Sequence, residues 1–284
     1  MLRFFYCGWR IVAELNMRWI CLVCWLFLAA TSIVQAQFGY MTNAGNTNTI
    51  TITNYTGPGG AVVIPGNING LTVTSIGPDV FITNAQVTSV TIPNSVISIG
   101  IGAFYGTSLT GITIPDSVTS ISEGAFEYTG LTNVTIPNSV TNIGPWGIGS
   151  CPDLTNATVP SSILDFRSAI FDCPELKNLT ISQGSTNIVD FAFQFCDGVT
   201  NITIPNSVTN IEEGGFYFCT NLIGVVIPGS VVTIGEVAFQ YCSSLAGVTI
   251  SDGVTSIEGL AFGACPSRLL KSDGFFEHLF DSGV

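Results

Sequence analysis

A unit of 22 or 23 residues, roughly V-T-I-P-N-S-V-T-x-I-G-x-x-A-F-x-x-C-x-x-L-x-x, recurs from residue 90 to residue 265 and occupies most of this 284-residue chain. Its clearest marker is a proline behind a β-branched run, at Pro93, Pro115, Pro137, Pro160, Pro205 and Pro228, with Ser182 and Ser251 standing where two more would fall. A unit this short cannot bury its own apolar face. Stacking its copies supplies the core, so the period alone predicts a solenoid.

Aligned on the proline, the apolar positions form columns. Two precede it, for example Val134 and Ile136, Ile202 and Ile204, Val248 and Ile250, and each pair flanks one outward residue, the period of a strand. Each unit is therefore expected to open with a short strand, and successive units to lay these strands side by side at about 4.8 Å in a parallel sheet. The proline ends the strand without having to donate to the ladder, and the Asn-Ser, Asp-Ser or Gly-Ser pair behind it suits a corner. Three and six residues further come Val96 and Ile99, Val118 and Ile121, Val208 and Ile211, Val231 and Ile234, a second inward side. Five residues later an aromatic column reads Phe104, Phe126, Phe171, Phe193, Phe216, Phe239 and Phe262, with Ile148 substituting once. Such rings fill a wide interior, each burying roughly 150 to 250 Å². The unit of Ser182 also carries Ser185 at an inward column and is expected to be locally looser.

Strand, proline, isoleucine, Ala-Phe and cysteine recurring in this order, with cysteine and leucine ahead of the next strand as in Cys219 and Leu222 or Cys242 and Leu245, resemble the BspA-like branch of the leucine-rich repeats. The resemblance implies a β-rich right-handed solenoid, a horseshoe or arc with its parallel sheet on the concave face. It also implies an exported or surface-exposed protein used in adhesion and protein recognition. That function is an analogy, since one fold serves many partners.

Ahead of the repeats, Met17-Arg18, an apolar run over 19–30 and Val34-Gln35-Ala36 have the layout of a secretory signal peptide, with Gln37 as the expected mature start and Met17 as an alternative initiator. The run is short for spanning a bilayer of about 30 Å. Two strand-like runs, 38–42 and 49–54, flank Asn43-Ala44-Gly45-Asn46 and predict a β-hairpin that caps the first coil. The expected organisation is a leader over 1–36, a capping hairpin over 37–60, the repeat solenoid over 61–266 and an irregular tail over 267–284.

Loss of Arg3, Arg10, Arg18 and Glu14 with the leader leaves 4 basic and 18 acidic residues, a formal net charge of −14. Nucleic acid and anionic membrane surfaces are disfavoured as partners, because both need clustered Lys and Arg. Cys151, Cys173, Cys196, Cys219, Cys242 and Cys265 share one column. Their side chains would all point the same way, whereas a bridge needs a specific dihedral. Buried free thiols acting as small hydrophobes are the first reading, with disulfides between neighbours as the alternative. Spacings near 23 lack the close ligand pairs of a zinc site.

Between the inward strand residues runs an outward column that includes Thr113, Thr135, Thr158, Thr180 and Thr203, and two residues before four of these stand Asn133, Asn156, Asn178 and Asn201. This uncharged face is the expected contact surface for a protein or a surface glycan, against the plainer reading of good β-propensity. A second column, Glu123, Asp190, Glu213 and Glu236 joined by Glu212 and Glu258, lines one edge and reads as a solubilising face. Aromatic residues on outward columns would favour glycan binding and read as nearly absent. The single histidine, His278, sits in the tail without an evident scaffold, and no carboxylate pair converges, so no enzyme, cofactor or metal is expected. The chain reads as a monomeric, exported recognition or adhesion module; a structural cell-envelope solenoid without a specific ligand is the competing class.

Overall fold

The computed structural model describes residues 36–162 and 167–266 and the backbone of Leu270 and Lys271; the leader, the tail, Arg268 and His278 lie outside it. Among the described residues every regular element from Phe38 onward is a strand. They build a parallel-strand β-solenoid whose coils each have three sides.

The first side carries the strand before the proline. Gly60–Val63, Val87–Thr91, Gly111–Thr113, Asn133–Thr135, Asn156–Val159 and Asn178–Ile181 pair in parallel in chain order, and Asn201–Thr203, Gly224–Ile227, Gly247–Ile250 and Leu270–Lys271 form a second such sheet. Register follows the repeat, with Val134 opposite Ala157 and Val225 opposite Val248. All the inward residues predicted on this side are buried except the half-buried Ile112. The corner is a turn closed on the proline: the amides of Val96, Val118, Val140, Val208 and Val231 donate to the carbonyls of Pro93, Pro115, Pro137, Pro205 and Pro228 at 3.0–3.1 Å. Proline costs nothing at that point because only its carbonyl is used.

The second side is a ladder of two-residue strands such as Ser98–Ile99, Ser120–Ile121 and Asn142–Ile143, resuming as Asn187–Ile188, Asn210–Ile211, Thr233–Ile234 and Ser256–Ile257. At its start, Phe38–Asn43 and Asn46–Tyr55 form an antiparallel hairpin whose second strand pairs in parallel with Leu71–Ile76. The insertion of the first coil is itself a hairpin, Asn67–Ile68 against Leu71–Ile76.

On the third side, the amides of the ring-stack phenylalanines from Phe81 to Phe239 and of Ile148 donate to the next coil, as from Phe104 to the Ala125 carbonyl and from Phe216 to that of Ala238. Residues two before and two after the core position take left-handed φ, for example 55° and 52° at Asp79 and Thr83. Nine successive coils place one buried residue here: Phe81, Phe104, Phe126, Ile148, Ile170, Phe193, Phe216, Phe239 and Phe262. The ring planes lie within 8° at centroid separations of 5.0 and 5.2 Å from Phe81 to Phe126, and within 25° at 5.1–5.4 Å from Phe193 to Phe262.

Phe171 does not belong to this stack. Ile148 pairs with Ile170, the left-handed residues Ser168 and Asp172 bracket Ile170, and Phe171 is only half-buried. The coil holds one residue fewer between its proline and its core position, so counting eleven from Pro160 lands one residue late. Two isoleucines in succession therefore interrupt the rings.

The coil of Ser182 is the loose one. Between Asn178–Ile181 and Asn201–Thr203 the first-side ladder is broken, and a cavity of about 20 Å³ lies among Ile181, Ser185, Ile188 and Phe193. That is room for about one water. The Ser185 hydroxyl donates to the Ser182 carbonyl at 2.9 Å, so its burial leaves no polar atom unpaired.

All six cysteines of the repeat column are unbridged. Each thiol donates back to the preceding coil's core position, from Cys219 to the Phe193 carbonyl at 3.3 Å and from Cys242 to that of Phe216 at 3.2 Å. In the early coils Thr107 and Thr129 occupy the same column, buried, and donate to the carbonyls of Phe104 and Phe126. The column thus demands a small donor, and cysteine supplies one with the least polar exposure. Burial pushes the Cys196 thiol up to about 12 and raises Cys219 well above its ordinary range.

Two outcomes follow from this core. Phe216→Ala should cost about 3–5 kcal/mol in urea unfolding, and Phe216→Ile distinctly less, because Ile148 and Ile170 already fill that column. A loss under about 1 kcal/mol for the alanine variant would contradict a continuous ring stack. The Cys196 thiol stays neutral in the folded chain while its unfolded counterpart ionises near the ordinary value, so its contribution is complete at neutral pH and declines as pH rises from there toward 12. Between about pH 8 and pH 10, wild type should lose about 1.4 kcal/mol more than Cys196→Ala; parallel stability curves would refute the buried neutral thiol.

Candidate functional site

On the first side, strand alternation turns Thr113, Thr135, Thr158, Thr180 and Thr203 outward, and all are exposed except the half-buried Thr158. Thr135, Thr158 and Thr180 stand directly opposite one another in successive coils, as do Asn133, Asn156 and Asn178. The two columns differ in what their polar atoms do. The amide of Asn156 donates to the Asn133 side-chain carbonyl at 2.5 Å, and that of Asn178 to Asn156 at 2.6 Å. Asn201 stands beyond the break in the sheet, bonded to Thr200 at 3.3 Å. None of the five threonine hydroxyls has a hydrogen-bond partner among the described residues. Seven of the nine predicted residues thus share one sheet, Asn201 and Thr203 stand beyond its break, and a zippered ladder of Asn133, Asn156 and Asn178 lies apart from a row of free hydroxyls.

Beside Asn178 a groove of about 500 Å³ opens between Glu175, Lys177, Thr200, Asn221, Ile223 and Ser244. It lies where the first-side sheet is interrupted. Lys177 pairs with Glu175 at 3.5 Å on its rim.

The acidic edge lies one residue before the left-handed position that opens the third side. Glu213 and Glu236 are exposed, and Arg167 neutralises Asp190 through a contact of 2.5 Å. Burial, then the charge of Asp190, raises the Glu212 carboxyl; burial, then Glu123, raises Glu127. Negative charge is crowded along this edge. Among the described residues no group of three metal-ligating side chains comes together.

Outward aromatics, read as nearly absent, are abundant on the third side. Phe171, Phe191, Phe195, Tyr217, Phe218 and Tyr241 form one connected cluster with centroid separations of 4.5–6.4 Å. All are half-buried except Tyr241, which is exposed, and further along Tyr105 meets Tyr128 edge-on. The signal was legible: one and two residues past the core position stand Tyr217 and Phe218 after Phe216, Phe195 after Phe193 and Tyr241 after Phe239. The expectation of few outward aromatics overlooked these positions, where the left-handed residue turns the ring outward.

The repeat order is that of a known family. Residues 67–173 and 167–273 match the profile of the BspA type leucine rich repeat region, in six copies. The leucine rich repeat protein of T. pallidum has a solved structure that is 28% identical, with 74% of this chain and 88% of that chain covered and a TM-score of 0.55. A leucine-rich repeat protein from Bacteroides ovatus is 23% identical over 84% of this chain and 78% of its own, TM-score 0.42, and a leucine rich cell surface protein from Faecalibacterium prausnitzii is 22% identical over 76% and 93%, TM-score 0.35. No curated protein matches. With strand, proline corner, ring stack and cysteine column repeating in the family's order, this chain belongs to the BspA-type leucine-rich repeat family.

Proposed function

We propose that this chain is an exported, cell-surface recognition or adhesion module that binds a protein partner, without catalysis, through the threonine face of its first side. The observation that carries the reading is the row of free hydroxyls. A parallel sheet holds Thr135, Thr158 and Thr180 in register, so a partner meets a rigid surface whose donors and acceptors need not be released first. The groove beside Asn178 adds relief to that surface, and the leader-like segment ahead of Gln37 supplies the route outward.

Replacing Thr135, Thr158 and Thr180 by lysine tests the face, since outward positions take long side chains without repacking the core. Proteins from the surface extract of the source cell and its surroundings should be captured saturably by immobilised wild type and released by free protein. The triple variant should lose that capture at least about tenfold with an unchanged melting temperature, the size expected for central contacts of an interface. Undiminished capture would move the contact elsewhere.

The asparagine zipper favours a second reading, a structural cell-envelope solenoid without a specific ligand. Amides saturated by their own copies stiffen a rod and ask nothing of a partner. A folded sample that captures nothing saturably would support it. Retention on a polysaccharide matrix, reversed by free sugar, would instead indicate a glycan-binding module.

A further inference from the structure

The aromatic cluster of the third side is not required by the repeat. The left-handed position that holds Phe195, Phe218 and Tyr241 is filled elsewhere by Thr83, Gly106, Ser150, Asp172 and Ala264, and by one isolated aromatic, Tyr128. Bulky residues with positive φ are uncommon and strained, and strain of this kind gathers at functional surfaces. Three consecutive coils nonetheless place an aromatic there, with φ of 59–61°. Phe191 is accommodated as deliberately: its ring lies over Gly214, where a Cβ would come within 2.3 Å of it.

Acidic columns run beside this cluster. The Phe191 amide donates to the Glu213 carbonyl and the Gly214 amide to that of Glu236, which sets Glu213 and Glu236 against the same side of the coils. Within a coil the acid and the outer aromatic are five residues apart, at most about 18 Å. Rings with acids at this reach suit a partner that carries positive charge on long apolar stems, because guanidinium or ammonium groups gain from ring faces and carboxylates together.

We propose that this aromatic, acid-edged face of Phe195, Phe218 and Tyr241 docks an arginine- or lysine-rich polypeptide segment. Charge selects the occupant. The chain carries 19 acidic against 7 basic residues, so a second copy would bring carboxylates against carboxylates. A sugar chain would need ring faces lying open in one plane, and here the rings tilt by 42° from Phe195 to Phe218 and by 31° from Phe218 to Tyr241, with Tyr217 standing at 89° to Tyr241. The Glu212 carboxyl beside Glu213 acts in the same direction: burial, then the charge of Asp190, raises it, and a cation arriving there would favour its charged form. This face is separate from the threonine face, and the inference stands whether or not that face binds a protein.

The test titrates the full chain with a deca-arginine peptide at about 0.15 M salt, where loose surface attraction is largely screened. Phe195→Ser, Phe218→Ser and Tyr241→Ser are combined in one variant, serine being the residue this column already accepts at Ser150. The expected result is saturable binding that weakens at least about tenfold in the triple variant with the melting temperature kept, and Glu213→Gln with Glu236→Gln should weaken binding and flatten its salt dependence. Should the triple variant unfold, Tyr241→Ser alone, at the most exposed ring, carries the comparison. Equal affinity in the serine variants would overturn the proposal by reducing the attraction to charge alone. So would absence of saturable binding, or binding of neutral oligosaccharides that the serine substitutions abolish while peptide binding persists.

Discussion

Everything in this protein depends on the distance between neighbouring coils. Backbone amides on all three sides find acceptors in a neighbouring coil, so the strand spacing of about 4.8 Å is imposed on every side chain that repeats. Whatever occupies a column must tolerate its own copy at that separation. Phenylalanine does so as parallel rings with centroids near 5 Å, asparagine as an amide zipper, and cysteine by donating to a carbonyl one coil back. Charge does not: the acids keep to an exposed edge, and Asp190 is neutralised by Arg167.

The columns were legible in the sequence because that constraint is written into it as a period. Proline, the two strand positions, the isoleucines and the cysteines were placed by counting. Counting failed where a coil lost a residue. Phe171 was assigned to the core by its distance from Pro160, although Cys173, which elsewhere lies three residues past the core position, pointed to Ile170. A spacing measured to the nearer landmark survives a deletion that a longer one does not.

The two outward faces were legible in unequal parts. Alternation along a strand identified the threonine and asparagine columns correctly as neighbours on one surface. It could not reveal that the amides are already committed to one another and the hydroxyls are not, because that depends on side-chain torsions within a register. The aromatic cluster escaped for a different reason. Its orientation comes from left-handed backbone positions, and only glycine or asparagine ordinarily announces those in a sequence. Here phenylalanine and tyrosine occupy them.

The ring stack comes in two lengths, from Phe81 to Phe126 and from Phe193 to Phe262, parted by isoleucines and followed by the break in the first-side sheet near Ser185. Such an arrangement matters for a protein held at one end and loaded at the other. Tension along the chain peels a stack of coils one at a time, and each coil resists according to its contacts with the next. The joint between the two stacks lacks both the ring-on-ring contact and the continuous first-side ladder, so it is the step that resists separation least.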